Sequence, residues 1–299
     1  MTAMAAQITI PACQLNDGHA IPLIGYGTGT AWNKHGGSGG ELDRGLIEIV
    51  KMAIKLGLKH IDGAEFYGNE RELGIGIKES GVPRSELYVT TKVWRGTDDI
   101  PKALDTSLEK LGLDYVDLYL IHAPYFTTSD TVLQSVWASF EALHTAGKAR
   151  SIGVSNFLPK HLTTILQTAK IKPAINQIEF HAYLQHSALL KFQQEHGIAV
   201  AAYGPLTPIT KAKPGPIDGV LTRLGERYGV GEGQILLRWV IEQGVVVITT
   251  TRKESRFSEY LKALEFKLTP EEVREIAEEG EKKHFRAFWR DRFAPDDRT

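Results

Sequence analysis

Short runs of branched and aromatic residues recur along the chain, and each is followed by a stretch with the spacing of an amphipathic helix. The runs are LIGYGT, LKHIDGA, LYVTTK, YVDLYLIH, ARSIGVS, AINQIEF, IAVAAYG and VVVITTT, which read as eight strands. Several are apolar on both faces, as in a parallel sheet with helices outside and packed side chains inside. Between them, Leu46, Ile47, Val50 and Ile54 share one helical face, as do Ile100, Leu104, Leu108 and Leu111, then Val132, Val136, Phe140 and Leu143. Eight such units predict an α/β fold of the closed (β/α)8, or TIM-barrel, kind. A doubly wound sheet is the rival, favoured if two of the eight strands prove false.

Ahead of the first barrel strand, QITIPACQLNDGHAIPLIG sets Asp17-Gly18 between two apolar segments, which predicts an N-terminal hairpin over about residues 7–22. Two segments exceed the repeat. PIDGVLTRLGERYG reads as one added helix and TPEEVREIAEEGEKK as another, the charges of the second forming a solvated face. The loop NKHGGSGG is glycine-rich and expected to be mobile, and KPGP is a break within the fold. With no domain boundary in view, residues 1–299 are read as one barrel domain whose tail, about 280–299, lies over the active face.

The length of 299 residues fits one barrel of roughly 250 residues with extensions. Lys plus Arg (35) nearly balances Asp plus Glu (36), so no excess charge attracts nucleic acid or an anionic membrane, and a small, roughly neutral partner is expected. Cys13 is the only cysteine, which excludes an internal disulfide and a cysteine-based zinc site and suits the reducing cytoplasm. The start, MTAMAAQITIPACQ, lacks the basic and apolar parts of a signal peptide, and no apolar run is long enough to span a bilayer. A closed barrel leaves no strand edge, so a monomer is the expectation, with a dimer still open.

In such a barrel the loops leaving the C-terminal ends of the strands form the active face. Asp62 closes the second strand, Tyr67 lies in the loop after it, Lys92 ends the third strand and His122 ends the fourth. Singly, Asp62 reads equally as a capping residue, Tyr67 as a half-buried loop tyrosine and His122 as a core histidine. Lys92 is harder to set aside, because a lysine at a buried strand end needs a counter-charge, for which Asp62 is the candidate. Together the four make a proton-donating unit. A free tyrosine, with a pKa of about 10, holds its proton too tightly to be an efficient acid near neutral pH. A nearby lysine cation is expected to lower that pKa, the aspartate to keep the lysine charged and aimed, and His122 to orient a carbonyl. That arrangement suits hydride addition to a carbonyl.

The runs HIDGAEFYGNERELG, VTTKVW, DLYLIHAP, SIGVSNF, INQIEFHAYL and AAYGPLTP, in this order and spacing, resemble the aldo-keto reductase superfamily from about Leu15 to Phe266. The resemblance implies a catalytic tetrad of Asp62, Tyr67, Lys92 and His122 on a barrel that binds NADPH without a Rossmann fold. It also implies that Ser155, Asn156 and Gln177 hold the nicotinamide carboxamide and that Tyr203 stacks on the ring. Gly204, Pro205 and Leu206 then begin the pyrophosphate loop, with Thr28 and Gly29 contributing from the first strand end. After the eighth strand, Thr250 replaces the lysine usual in the family and Tyr260 the usual asparagine. Thr251, Arg256 and Glu259 keep the serine, arginine and acidic positions of that motif, and Arg252 and Lys253 are placed to restore the lost charge at a 2′-phosphate. NADPH is therefore expected over NADH.

Other chemistries leave weaker traces. GYGTGT has Thr30 where a Rossmann fingerprint needs its third glycine, and GVSNF has Phe157 where a nucleophile elbow needs its second. EFHAYLQHS lacks HExxH spacing, so no metal is expected. Trp32, Phe66, Trp94, Tyr125, Phe126, Phe157, Phe288 and Trp289 are expected to wall one apolar pocket. Ala123, where tryptophan commonly follows the histidine, is expected to open one side. With GPLTP, ITTT and HFRAFW, this resembles the fungal branch of conjugated polyketone and α-dicarbonyl reductases. The expected activity is NADPH-dependent reduction of a small carbonyl substrate, an α-dicarbonyl or cyclic diketone (ketolactone), with Tyr67 as proton donor. Two other readings stay open: an aldose or glycerol-type reductase, and a non-catalytic NADPH-binding regulatory subunit, against which the intact tetrad speaks.

Overall fold

A computed structural model describes residues 10–34 and 40–299. Its first strands form an antiparallel hairpin, β1 (Ala12–Gln14) and β2 (Ala20–Pro22), with Cys13 opposite Ile21. All eight barrel strands follow: β3 (Ile24–Gly27), β4 (His60–Asp62), β5 (Tyr88–Val93), β6 (Val116–Ile121), β7 (Ala149–Ser155), β8 (Ile175–Glu179), β9 (Ala199–Tyr203) and β10 (Val246–Thr249). They pair in parallel in chain order, and β10 returns to β3 with Val247 opposite Ile24. The sheet is closed, which removes the doubly wound alternative.

Two-residue alternation explains why these strands read as apolar on both faces. Along β6, Tyr119 and Ile121 point outward into the cluster formed with the helices, whereas Leu118 and Leu120 point inward to Tyr88, Ile175, Ala201, Val246 and Ile248. The hairpin closes the N-terminal end of this interior. Leu15 and Ile21 join the inner cluster, and Asn16 Nδ2 donates to the carbonyls of Pro173 (2.9 Å) and Gly197 (3.1 Å), just before β8 and β9. Access is thereby left to the C-terminal end. In the hairpin turn only Gly18 takes a positive φ (86°), and Asp17 instead accepts from the backbone N–H of His19. Residues 7–9 of the expected hairpin and 35–39 of the glycine-rich loop lie outside the described residues.

The helix Arg44–Lys55 is capped by Asp43 and buries Leu46, Ile47, Val50 and Ile54 as its spacing predicts. Ile100–Leu111 likewise buries all four of its expected residues. Asp130–Thr145 departs by one position: Val132 is 44% exposed, and Leu133 with Trp137 takes its place beside Val136, Phe140 and Leu143. The cause is Trp137, which stacks on Phe140 and donates its indole N–H to Ile171 O (3.0 Å), rolling the helix toward itself. Both added helices form, at Asp218–Tyr228 and Pro270–Glu281. Glu272 is not part of the solvated face, since it is buried and accepts from Arg227 and Tyr228, joining these two helices. No helix among the described residues is long and apolar enough to cross a membrane.

Helix Glu70–Ser80 approaches Ile100–Leu111 so closely that a Cβ on Gly74 would stand 2.2 Å from Leu111 O. Since that neighbour is backbone, Gly74→Ala is expected to destabilise the fold by about 1–3 kcal/mol. Denaturant melts should show a lower midpoint at unchanged slope; an unchanged midpoint would mean that the helix pair yields freely.

Candidate active site

The strands place the four expected residues at one end of the barrel. Asp62 is the last residue of β4, Lys92 lies near the end of β5, and His122 immediately follows β6. Tyr67 ends a short 3-10 turn after β4, which Gly68 terminates with φ 67°. Lys92 is fully buried, and its Nζ donates to Asp62 Oδ1 (2.6 Å) and Gly63 O (2.7 Å). Gln177 Nε2 donates to the other Asp62 oxygen at 2.8 Å. A buried ion pair persists only with such added hydrogen bonds, because both charges have lost their water.

Tyr67 Oη stands 3.5 Å from His122 Nε2, and Lys92 Nζ is 5.2 Å from the centre of the phenol ring. Gly29 makes room for that phenol: a Cβ there would fall 2.5 Å from Tyr67 Cζ. The electrostatics correct one expectation. Burial, with the Asp62 charge adding to it, raises the Tyr67 pKa well above its ordinary 10, where a lowering by Lys92 was expected. The reason is geometric, since Lys92 directs its ammonium at Asp62 and Gly63 rather than at the hydroxyl. Burial lowers the Lys92 pKa, a shift that Asp62 opposes. His122 is pushed well below its usual value, first by burial and then by Lys92.

Beside this group lies a polar shelf. Ser155 Oγ donates to Gln177 O (2.7 Å), and Asn156 Nδ2 donates to His122 O (2.8 Å) and Ser155 Oγ (3.0 Å). Tyr203 Oη donates to Asn156 Oδ1 (2.6 Å) and accepts from Trp289 Nε1 (3.1 Å). Asn156 holds its place with φ 61°, a left-handed conformation that asparagine tolerates.

The shelf and the Tyr67–His122 pair open on a cavity of about 430 Å³. Of the residues singled out from sequence, its wall contains Gly29, Asp62, Phe66, Tyr67, Trp94, His122, Ser155, Asn156, Gln177 and Tyr203, then Gly204, Pro205, Leu206, Thr250, Arg256, Phe288 and Trp289. Lys92 sits behind the wall. The structure also places several expected residues away from the cavity. Thr28 is buried with its hydroxyl on Asp62 O. Trp32 donates to Tyr26 Oη and carries the Arg252 guanidinium 4.5 Å above its ring, while Arg252 Nε donates to Ala31 O. Arg252 is thus engaged in fastening the first loop to the segment after β10.

Thr251 is buried, its carbonyl accepting from Tyr26 Oη (2.8 Å), and Glu259 faces a separate groove with Lys262. Tyr125 packs behind Trp289 (5.1 Å), Phe126 packs on the core, and Phe157 is fully buried edge-on to His161. Ala123 is also buried and does not reach the cavity. Thr30, Thr207, Thr210 and Lys211 line it without having been singled out. Thr207 already lies within AAYGPLTP, and Thr210 and Lys211 follow within one turn, so extending that motif would have found them. Lys211 stands 4.3 Å over the Phe288 ring. Among the described residues no three His, Cys, Asp or Glu side chains are grouped to hold a metal.

Residues 23–281 match the family model described as Aldo/keto reductase family. A relative from Schizosaccharomyces pombe, named NAD/NADP-dependent indole-3-acetaldehyde reductase, is 42% identical over 274 residues, 91% of this chain and 96% of its own length. A Saccharomyces cerevisiae protein named NADPH-dependent alpha-keto amide reductase is 39% identical over 289 residues, 92% and 93% of the two chains. Among solved structures, the Bombyx mori aldo-keto reductase in complex with NADP superposes with a TM-score of 0.81 at 37% identity, covering 91% of this chain and 93% of that one.

Because burial and the Lys92 charge push its pKa well below the usual 6.5, the His122 imidazole is expected to stay neutral between pH 6 and 8. Nitrogen-detected imidazole spectra should show no titration of His122 in that range; a midpoint between pH 6 and 7 would contradict the site's electrostatics.

Proposed function

Because the chain belongs to the aldo/keto reductase family, we propose that it reduces ketone or aldehyde carbonyls to alcohols with hydride from NADPH, Tyr67 donating the proton. The observation that carries this reading is the convergence of Tyr67 Oη and His122 Nε2, 3.5 Å apart, at the base of an aromatic-walled cavity. A carbonyl oxygen set between them meets the phenol O–H and, in the tautomer protonated at Nε2, the imidazole N–H. The Lys92 charge, paired with Asp62 but still acting at His122, favours the negative oxygen that develops beside the imidazole. An alkoxide is a stronger base than a phenolate, so a phenol above its ordinary pKa still protonates it, while remaining fully protonated before the reaction.

The residues on the wall fit a nicotinamide dinucleotide. Hydroxyl and amide groups of Ser155, Asn156 and Gln177 suit a carboxamide at one end, with the Tyr203 ring beside it. Gly204 to Leu206 would follow the pyrophosphate, and Thr250 and Arg256 would meet a 2′-phosphate. Asp62, already paired with Lys92, is the sole carboxylate on that wall among the described residues, so nothing there repels phosphate. When bound, NADPH supplies the hydride. Phe66, Trp94 and Trp289 favour flat, apolar carbonyl compounds, and an α-keto amide, named for one relative, carries the adjacent carbonyls of the α-dicarbonyl class. Hydroxylated sugars would find few partners on such walls. The closed barrel offers no strand edge for pairing, which favours a single-domain monomer, and the lone cysteine, Cys13, suits the reducing cytoplasm.

Tyr67→Phe is expected to lower NADPH-dependent turnover by about 10²–10⁴ while leaving NADPH affinity, read by fluorescence, nearly unchanged. Near wild-type turnover would remove Tyr67 from the role of acid. In the same absorbance assay, isatin or a ketolactone should be reduced far faster than xylose or glyceraldehyde; the reverse order would favour the aldose-type reading. For the cofactor, Arg256→Ala should raise the KM for NADPH about 10- to 100-fold, the loss of one charged hydrogen bond, and alter that for NADH little. Arg252→Ala should do much less. Equal effects on the two cofactors would place the 2′-phosphate elsewhere.

A further inference from the structure

The two tryptophans facing each other over the site come from irregular segments, and neither is fixed by its own element. Trp94 follows β5 and Trp289 belongs to the C-terminal tail, yet their rings lie 5.3 Å apart, Trp94 also meeting His122 at 5.9 Å. The backbone of each segment is held by a carboxylate from elsewhere, at Trp94 itself in one case and at the two residues before Trp289 in the other. Glu65 Oε2 accepts from the N–H groups of Trp94 (2.9 Å) and Arg95 (3.2 Å). Glu179, at the end of β8, accepts from Ala287 N at Oε1 (2.7 Å) and from Phe288 N at Oε2 (3.0 Å), and its Oε1 also lies 3.1 Å from Nε2 of the buried His181, two residues on, which leaves Oε2 to the tail.

Glu179 is 2% exposed, and its strand pairing to Tyr203 is made by backbone alone. The barrel ladder therefore does not need this carboxylate, and burying one is costly without strong donors. What the two bonds do is fix the residues just before Trp289. That residue has φ 58°, a conformation unfavourable for a bulky side chain, which persists only where its surroundings over-determine it. Glu179 supplies one constraint, the bond from the indole N–H to Tyr203 Oη another, and the bond from Arg292 N to Trp289 O closes the turn that follows.

We propose that Glu179 is a positioning residue for substrate selection: by clamping Ala287 and Phe288 it holds Trp289 against Trp94, and so sets which carbonyl compounds fit beside His122. Glu65 performs the same service for Trp94. The proposal rests on the reading of the cavity as a carbonyl-reducing site. A flat aromatic carbonyl beside His122 is large enough to span both tryptophans, whereas a two-carbon dialdehyde there meets Trp94 at most and falls short of Trp289. Loosening the clamp therefore harms the large substrate selectively.

The test uses Glu179→Gln, together with Ala287→Pro, which removes one donor from the tail side and leaves β8 untouched should the first variant fold poorly. The ratio of kcat/KM for isatin to that for glyoxal should fall about tenfold in both, mainly through the KM for isatin. The double variant Glu179→Gln with Trp289→Ala should have the same ratio as Trp289→Ala alone. Proportional losses on both substrates, or additive effects in the double variant, would overturn the proposal. A reading that needs no substrate separates it from the functional assignment: the Trp94–Trp289 pair should give an exciton-coupled circular-dichroism band that Trp289→Ala abolishes. The band should be largely lost in both clamp variants, and its persistence in them would equally sink the idea. If wild-type protein reduced neither compound, the functional reading would fail while the spectroscopic test still decided the clamp.

Discussion

The site is organised around one almost wholly buried ion pair. Lys92 and Asp62 give up their hydration inside the barrel mouth, where removing either partner alone typically costs about 3–5 kcal/mol. Gly63 O and Gln177 Nε2 complete the pair, so that β4, β5 and β8 are tied together by one polar knot. Its consequences reach both neighbouring groups. The Asp62 charge adds to the burial that keeps the Tyr67 phenol protonated, and the Lys92 charge adds to the burial that keeps His122 neutral. A protonated phenol and a neutral imidazole are left facing the cavity with a mutually compensated ion pair behind them.

The polar groups and the aromatic groups of the cavity are carried by different parts of the fold. The polar shelf and the ion pair stand on strand ends whose register is fixed by the closed barrel, which limits their freedom to move. The aromatic wall comes from loops and from the tail, and such segments need local fastening. Three fasteners are visible: Glu65 on the Trp94 segment, Glu179 on the tail, and Arg252 between the first loop and the segment after β10. Each satisfies backbone groups of an irregular segment, which is the role that ladder hydrogen bonds play within a strand. The tail is thus part of the site's wall, with Phe288 and Trp289 both on the cavity.

The eight strands, two helix stripes, the hairpin and both added helices were legible in the sequence because alternation and helical spacing are local properties, set by which side of an element meets the core. The convergence of Asp62, Tyr67, Lys92 and His122 was legible for a related reason: three strand ends in succession and the turn after the first of them each carried a polar residue, and a closed barrel brings all its strand ends to one rim. What the sequence could not decide depends on packing between distant segments. Val132 lost its place to Leu133 because a tryptophan one turn on found Ile171 O, and Arg252 was drawn from the expected phosphate site to Ala31 and the Trp32 face. Trp32, Phe126 and Phe157 have the composition of a pocket wall but turn into the core, since an aromatic ring is at home in either place. The direction of the Tyr67 shift was likewise a tertiary matter. A lysine nearby in sequence order says that a charge is present, and only its geometry says whether the phenol or the aspartate receives it.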